Sequence, residues 1–199
     1  MRTLPAIICL TLNILLGSVG VSASADLQKG VVAFMSGDYA TALREWKPLA
    51  EQGNADAQTY LGVMYAGGQG VPQDYKTAVK WYKLAAEHGN ALAQNYLGLM
   101  YRKGQGVPQN DKTAVKWYKL AAGQGYANAQ NNLGFMYANG KGVPQDYILG
   151  HMWWNLAASS GNKDAIKNRD LLAKRMTPAD ISNAQKLVRK YVRKKYKGC

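Results

Sequence analysis

Apolar positions between residues 54 and 161 recur in two alternating kinds of block. In the first, about 55–66, Ala57, Leu61, Met64 and Tyr65 follow one another at steps of four, three and one, which puts them on one side of an α-helix. In the second, about 75–87, Ala78, Trp81, Tyr82, Ala85 and Ala86 again share one face. Between them stands Gly67-Gly68-Gln69-Gly70, then Val71-Pro72. Glycine readily takes positive φ at a helix C-terminus, and proline cannot continue a helix. The pattern therefore predicts two helices, A and B, joined by an extended loop. Asp74 is placed to cap helix B, as are Asp38 and Asp146 in their own segments.

The pair repeats. Leu61-Gly62, Leu97-Gly98 and Leu133-Gly134 are 36 residues apart, as are Val71-Pro72-Gln73, Val107-Pro108-Gln109 and Val143-Pro144-Gln145. Trp81, Trp117 and Trp153 keep the same step, and Gly89, Gly125 and Gly161 close the units. The frame gives three units, 54–89, 90–125 and 126–161. Residues 26–53 read as a shorter N-terminal helical pair, in which Asp38-Tyr39 precedes Asp74-Tyr75 by 36. A glycine inside helix A costs about 1 kcal/mol against alanine, so its return at Gly62, Gly98 and Gly134 calls for a packing reason. The expected reason is close approach of helix A to the Ala-Ala face of helix B, with Trp81 and Tyr82 filling the wider gap beside it. One pair cannot bury its apolar side alone, whereas stacked pairs can. The expected fold is all-α, an α-solenoid of helix-turn-helix units with a C-terminal capping helix, the three repeated tryptophans lying in its core.

Leu-Gly-x-Met-Tyr, then Gly-x-Gly-Val-Pro-Gln-Asp-Tyr, then Ala-Val-Lys-Trp-Tyr-Lys-Leu-Ala-Ala, at this step, resembles the SEL1-like repeat, a relative of the tetratricopeptide repeat. The resemblance covers about 38–162, and weakly 26–37. The stretch from Arg169 to Asp180 also looks like the end of exported bacterial SEL1-repeat proteins. The resemblance implies a binding scaffold, usually for other proteins, with no intrinsic chemistry and no cofactor. A cysteine-rich branch of the family is linked to β-lactam binding. This chain lacks the cysteine pairs of that branch, so cell-wall or β-lactam hydrolysis is a remote alternative.

Comparing the units with one another separates fold positions from free ones. In helix A the varying positions are Asp56/Leu92/Asn128, Thr59/Asn95/Asn131, Val63/Leu99/Phe135, Ala66/Arg102/Ala138 and Gly67/Lys103/Asn139. They form one stripe away from the Ala57/Leu61/Met64 face. In related solenoids helix A lines the concave side. A groove for a protein or peptide partner is therefore expected at Thr59, Val63, Asn95, Leu99, Arg102, Lys103, Asn131, Phe135 and Asn139. Amides there can meet a peptide backbone as donor and acceptor. The plainer reading of the same stripe is a neutral solvated face. On helix B, Lys76, Lys80 and Lys83 repeat as Lys112, Lys116 and Lys119, but the third unit has Ile148, Met152 and Asn155. The apolar third face predicts a cover, either the C-terminal segment or a partner.

Of the chain's 199 residues, 25 are Lys or Arg against 12 Asp or Glu, a net charge of +13. Residues 163–199 contribute +9 of it. There Thr177 and Pro178 open a final helix with Ile181, Ala184, Leu187, Val188, Tyr191 and Val192 on its apolar face. Lys186, Arg189, Lys190, Arg193, Lys194 and Lys195 lie outside that face. The helix reads as a terminal cap with a solvated outer side, and also as a contact for an anionic envelope surface. Nucleic acid is not an expected partner, because no aromatic-basic platform accompanies the charge.

The first 25 residues have a short positive start, an apolar run and Ala23-Ser24-Ala25. That describes a secretory signal peptide cleaved near Ala25-Asp26, giving a periplasmic or secreted protein; the alternative is an uncleaved anchor. Cleavage removes Cys9 and leaves Cys199, a free thiol or a link to a second copy. Catalysis has no visible footing: His88 and His151 have no carboxylate or nucleophile at a repeated spacing, no metal-ligand motif occurs, and His151 reads as a tolerated core histidine.

Overall fold

The computed structural model describes residues 24–196, with side chains as far as Lys194. Both cysteines, and the expected leader apart from residues 24 and 25, lie outside the described residues. Ten helices and no strand are found among the described residues. They are α1 (24–35), α2 (Tyr39–Glu51), α3 (Ala55–Gly67), α4 (Tyr75–Glu87), α5 (Ala91–Lys103), α6 (Asp111–Gly123), α7 (Ala127–Asn139), α8 (Tyr147–Ser159), α9 (Lys163–Ala173) and α10 (Pro178–Tyr196). The fold is all-α, of consecutive helix-turn-helix repeats. The described residues up to Leu84 and those from Ala85 onward form two compact units, the division falling within α4.

Local chemistry sets the helix ends. Asp38, Asn110 and Asp146 accept from the backbone N–H of Thr41, Thr113 and Leu149 at 2.9–3.0 Å, and Asp74 accepts from those of Lys76 and Thr77. The Thr41 N–H holds the Asp38 carboxyl below its ordinary pKa, and the Thr77 hydroxyl, donating to Asp74 Oδ2, with the Thr77 N–H does the same for Asp74. Asn54, Asn90 and Asn162 cap the A helices in the same way. Each long loop begins with a left-handed glycine, Gly68, Gly104 or Gly140, at φ 70°, 68° and 64°. Gln73 and Gln145 then donate back to the carbonyls of Ala66 and Ala138, tying the loop to the helix it leaves.

In the first unit, Ala42, Trp46, Leu49, Ala50, Ala57, Leu61 and Met64 belong to one core cluster. The Trp46 indole lies on Gly30, where a Cβ would come within 2.2 Å of it, and donates to the Leu27 carbonyl at 3.1 Å. Tyr82 lies on Gly62 in the same manner. In the second unit Tyr118 lies on Gly98 and Trp154 on Gly134, and the Trp154 indole donates to the Asn131 carbonyl. The helix-A glycine therefore makes room for an aromatic ring, and not for the Ala-Ala face that the sequence suggested.

The expected tryptophan core is displaced by one residue. Trp81, Trp117 and Trp153 are only half-buried, while the following residues Tyr82, Tyr118 and Trp154 are 1%, 0% and 5% exposed. One step along a helix turns a side chain through about 100°. That turn points the later residue at the glycine and leaves the repeated indole at the edge.

A second repeated device is a buried amide. Gln58, Gln94 and Gln130 donate to the carbonyls of Ala50, Ala86 and Ala122, each eight residues earlier, at 3.0, 3.1 and 3.3 Å. Each bonds helix A to the last turn of the preceding helix B.

The repeat continues past 161. Ala165 is fully buried and stands 36 residues after Ala129, so α9 acts as helix A of a fourth unit. Asn168 donates to Asn131, and Asn162 to Asn128. The α10 that follows opens with a reciprocal cap: Thr177 Oγ1 donates to Asp180 Oδ2, and the Asp180 N–H donates to Thr177 Oγ1. It then packs on α8, with Ala184 fully buried and the Tyr191 ring edge-on to Trp153 at 5.3 Å. The apolar face of α8 is covered as expected, by the C-terminal segment: Met152 and Leu156 are buried, Ile148 and Asn155 half-buried.

Candidate functional site

The varying stripe of helix A divides between the two units. On α3, Thr59 is fully buried and its hydroxyl donates to its own helix, at the Ala55 carbonyl. It lines no groove, which corrects the sequence reading, and Val63 beside it is half-buried. The second unit holds the other seven residues, on α5 and α7.

There the asparagines work between repeats. Asn95 is 6% exposed and accepts from Asn132, while Asn131 accepts from Asn168. Asn95 is thus withdrawn from any groove surface, because its amide joins α5 to α7. Asn139 is exposed, with its Nδ2 donating to the Phe135 carbonyl. Leu99, Arg102 and Phe135 are half-buried and Lys103 exposed. The Phe135 ring lies under two cations, with the Arg102 guanidinium 5.4 Å and the Lys141 ammonium 5.7 Å from its centroid.

The stripe extends onto α9, where sequence reasoning stopped short. Leu171 continues Leu99 and Phe135 at the 36-residue step and is 61% exposed. Arg175 continues Lys103 and Asn139; its guanidinium lies 4.9 Å from the Tyr147 ring centroid and donates to the Tyr147 hydroxyl. The signal was present, since Ala165, Asn168 and Leu171 keep the step from Ala129, Asn132 and Phe135. The result is a row of apolar side chains, Leu99, Phe135 and Leu171, edged by Arg102, Lys103, Lys141 and Arg175.

Polar groups elsewhere do not assemble into reacting groups. His151 is 4% exposed with Nδ1 unpaired, and burial, helped by Arg169 against Asp170, holds its pKa below 6.5. The Tyr118 hydroxyl is buried and unpaired, and burial pushes its pKa up to about 12. No group of three His, Cys, Asp or Glu residues suited to a metal occurs among the described residues, and no described helix is long and apolar enough to cross a membrane. On α10, Lys186, Arg189, Lys190, Arg193 and Lys194 are exposed; the side chain of Lys195 lies outside the described residues.

The Sel1 repeat matches residues 55–90, 91–126 and 127–162, the three segments whose glycine-aromatic contacts and buried glutamines recur in register. The chain belongs to the Sel1 repeat family. Sel1 repeat proteins generally act as protein–protein interaction scaffolds. Among solved structures, a Sel1 repeat protein from Oxalobacter formigenes is 35% identical at a TM-score of 0.68, over 72% of this chain and 59% of that one. A protective antigen present in uropathogenic Escherichia coli strains, displaying an SLR fold, is 27% identical at a TM-score of 0.61, over 86% of this chain and 45% of that one. The chain thus spans less than two thirds of either neighbour. No curated protein matches it.

Proposed function

We propose that this Sel1 repeat protein is a non-catalytic scaffold that binds a protein or peptide partner along the A helices α5, α7 and α9. The observation carrying this reading is the row Leu99, Phe135 and Leu171, which keeps half-buried or exposed apolar side chains at one register position of successive A helices. The position varies among Val63, Leu99, Phe135 and Leu171, whereas the helix-A glycine does not vary across Gly62, Gly98 and Gly134. Export of the chain through its N-terminal leader belongs to the same proposal and puts the partner in the cell envelope or outside the cell.

Photo-crosslinking in the source cells tests it. A photoreactive residue in place of Leu99 or Lys103 is expected to give discrete protein adducts, and one in place of Lys116, on the outer face of helix B, none. Adducts from position 116 alone, or from no position, overturn it.

A second reading rests on the exposed cations of α10, which lie away from the buried Ala184 and from the Tyr191 ring set against Trp153. In this reading they hold the protein to an anionic envelope surface. Association with anionic vesicles at low ionic strength that disappears at high salt supports it, and absence of association at low salt removes it.

A further inference from the structure

At the C-terminal end of the row lies a cavity of about 150 Å³, lined by Ala138, Asn139, Trp154, Asn168, Leu171 and Leu172, with Arg175 at its edge. A cavity of that size accepts one benzene-sized apolar group. Ala138, Trp154 and Leu172 belong to one core cluster, and Phe135 packs against it. Part of the lining is therefore apolar and fixed by the fold, with polar groups of Asn139, Asn168 and Arg175 beside it, and the 61%-exposed Leu171 completes the wall.

The cations near this opening outnumber the carboxylates, of which Asp111, in the first turn of α6, lies closest to Lys141 through its backbone contact with Gly142. Arg175 is part of the wall, Arg102 and Lys141 lie over the adjoining Phe135, and Lys103 holds the place of Arg175 two repeats earlier. Carboxylates nearby are engaged or distant. Asp146 caps α8, Asp170 pairs with Arg169 at 2.8 Å, and Asp164 lies in the first turn of α9, at the opposite end from Arg175. The Asn139 and Asn168 amides add polar groups on two sides of the opening.

We infer that this cavity is an anchor pocket for one leucine-sized or aromatic side chain of an acidic peptide segment, whose carboxylates meet Arg102, Lys103, Lys141 and Arg175. The inference rests on the scaffold reading and narrows it to a partner chemistry. Apolar anchorage and charge make separate contributions. The anchor sets how long the segment stays, and the cations raise its rate of arrival and make binding sensitive to salt.

The test uses the full-length protein and short synthetic peptides of aspartate and glutamate carrying a single central leucine, read by fluorescence anisotropy. Binding is expected, with at least about a tenfold loss when the central leucine becomes alanine. A similar loss is expected in Leu171→Glu and Lys103→Glu proteins, whose helix content and melting stay unchanged because both side chains are exposed. Binding is also expected to weaken as salt rises. Equal binding of the alanine peptide, or of a lysine peptide with the same leucine, overturns the inference; the first result would describe an unselective polyanion surface. Crosslinking from position 99 separates the two levels. Adducts that persist undiminished in the Leu171→Glu protein sink the pocket and leave the scaffold standing, whereas no adducts at all sink the scaffold itself.

Discussion

Helices α6 and α8 occupy the same place in consecutive repeats, yet their outer faces have opposite chemistry. On α6, Lys112, Lys116, Lys119 and Leu120 face solvent. On α8 the equivalent residues are Ile148, Met152, Asn155 and Leu156, and α10 lies over them. The buried sides of the two helices are alike, with Tyr118 and Trp154 each set on a glycine of the preceding helix. The outer side thus distinguishes the repeat that α10 covers from the one before it. Replacing lysines by apolar residues turns a solvated ridge into a docking face, while the inner packing remains that of any other unit.

Four substitutions probe that difference. Met152→Lys places an ammonium beneath α10 and removes a buried apolar side chain. A loss of about 3 kcal/mol is expected in the urea midpoint, together with faster amide exchange along α10; an unchanged midpoint would show that α10 is dispensable to α8. Tyr191→Ala removes the edge contact with Trp153, and a cost of about 1–2 kcal/mol is expected from the same measurement. If exchange in α10 is no faster in this variant, the helix is held by something other than the ring pair.

His151 sharpens the comparison through pH. On α6 the same position is Val115, 3% exposed. The folded imidazole has a pKa below 6.5 because protonating it would bury a charge beside Arg169. As pH falls, the unfolded chain takes up the proton first, so stability decreases below 6.5 and levels off once the folded imidazole is protonated too. A His151→Val protein should lack that part of the acid slope in denaturation midpoints between about pH 7.5 and about pH 5. An identical slope in both proteins would assign it to other groups. The smallest effect is expected from Lys116→Met, the reverse exchange on α6, which should alter stability by less than about 0.5 kcal/mol. A marked stabilisation there would mean that α6 too has an apolar cover.

The repeat was legible because its strongest signals are backbone requirements. Glycine at the left-handed loop entry, proline after it and Asp or Asn at the caps each answer a local constraint, and the helix ends fall within a residue of where these place them. The glycine-ring contact was legible only in part. Tryptophan 81, 117 and 153 stood out as the larger side chain, whereas position relative to Gly62, Gly98 and Gly134 decides which ring is buried. Gln58, Gln94 and Gln130 were equally regular, but an amide in a helix gives no local sign that it will bond a carbonyl on another helix. The candidate surface was half legible. Variation among units identified the stripe, yet variation alone did not distinguish Phe135, left at the surface, from Thr59, turned inward, or from Asn95, consumed by its neighbour.

The buried glutamines carry a consequence for how such a chain lengthens. Each repeat brings its own donor and uses as acceptor a main-chain carbonyl, a group that every preceding helix possesses whatever its sequence. For this bond a following repeat needs no matching side chain on the helix before it, in contrast to the asparagine pairs, whose acceptor is a side chain of the earlier repeat. Ile166 stands at the fourth glutamine position, so α9 carries no such donor toward α8.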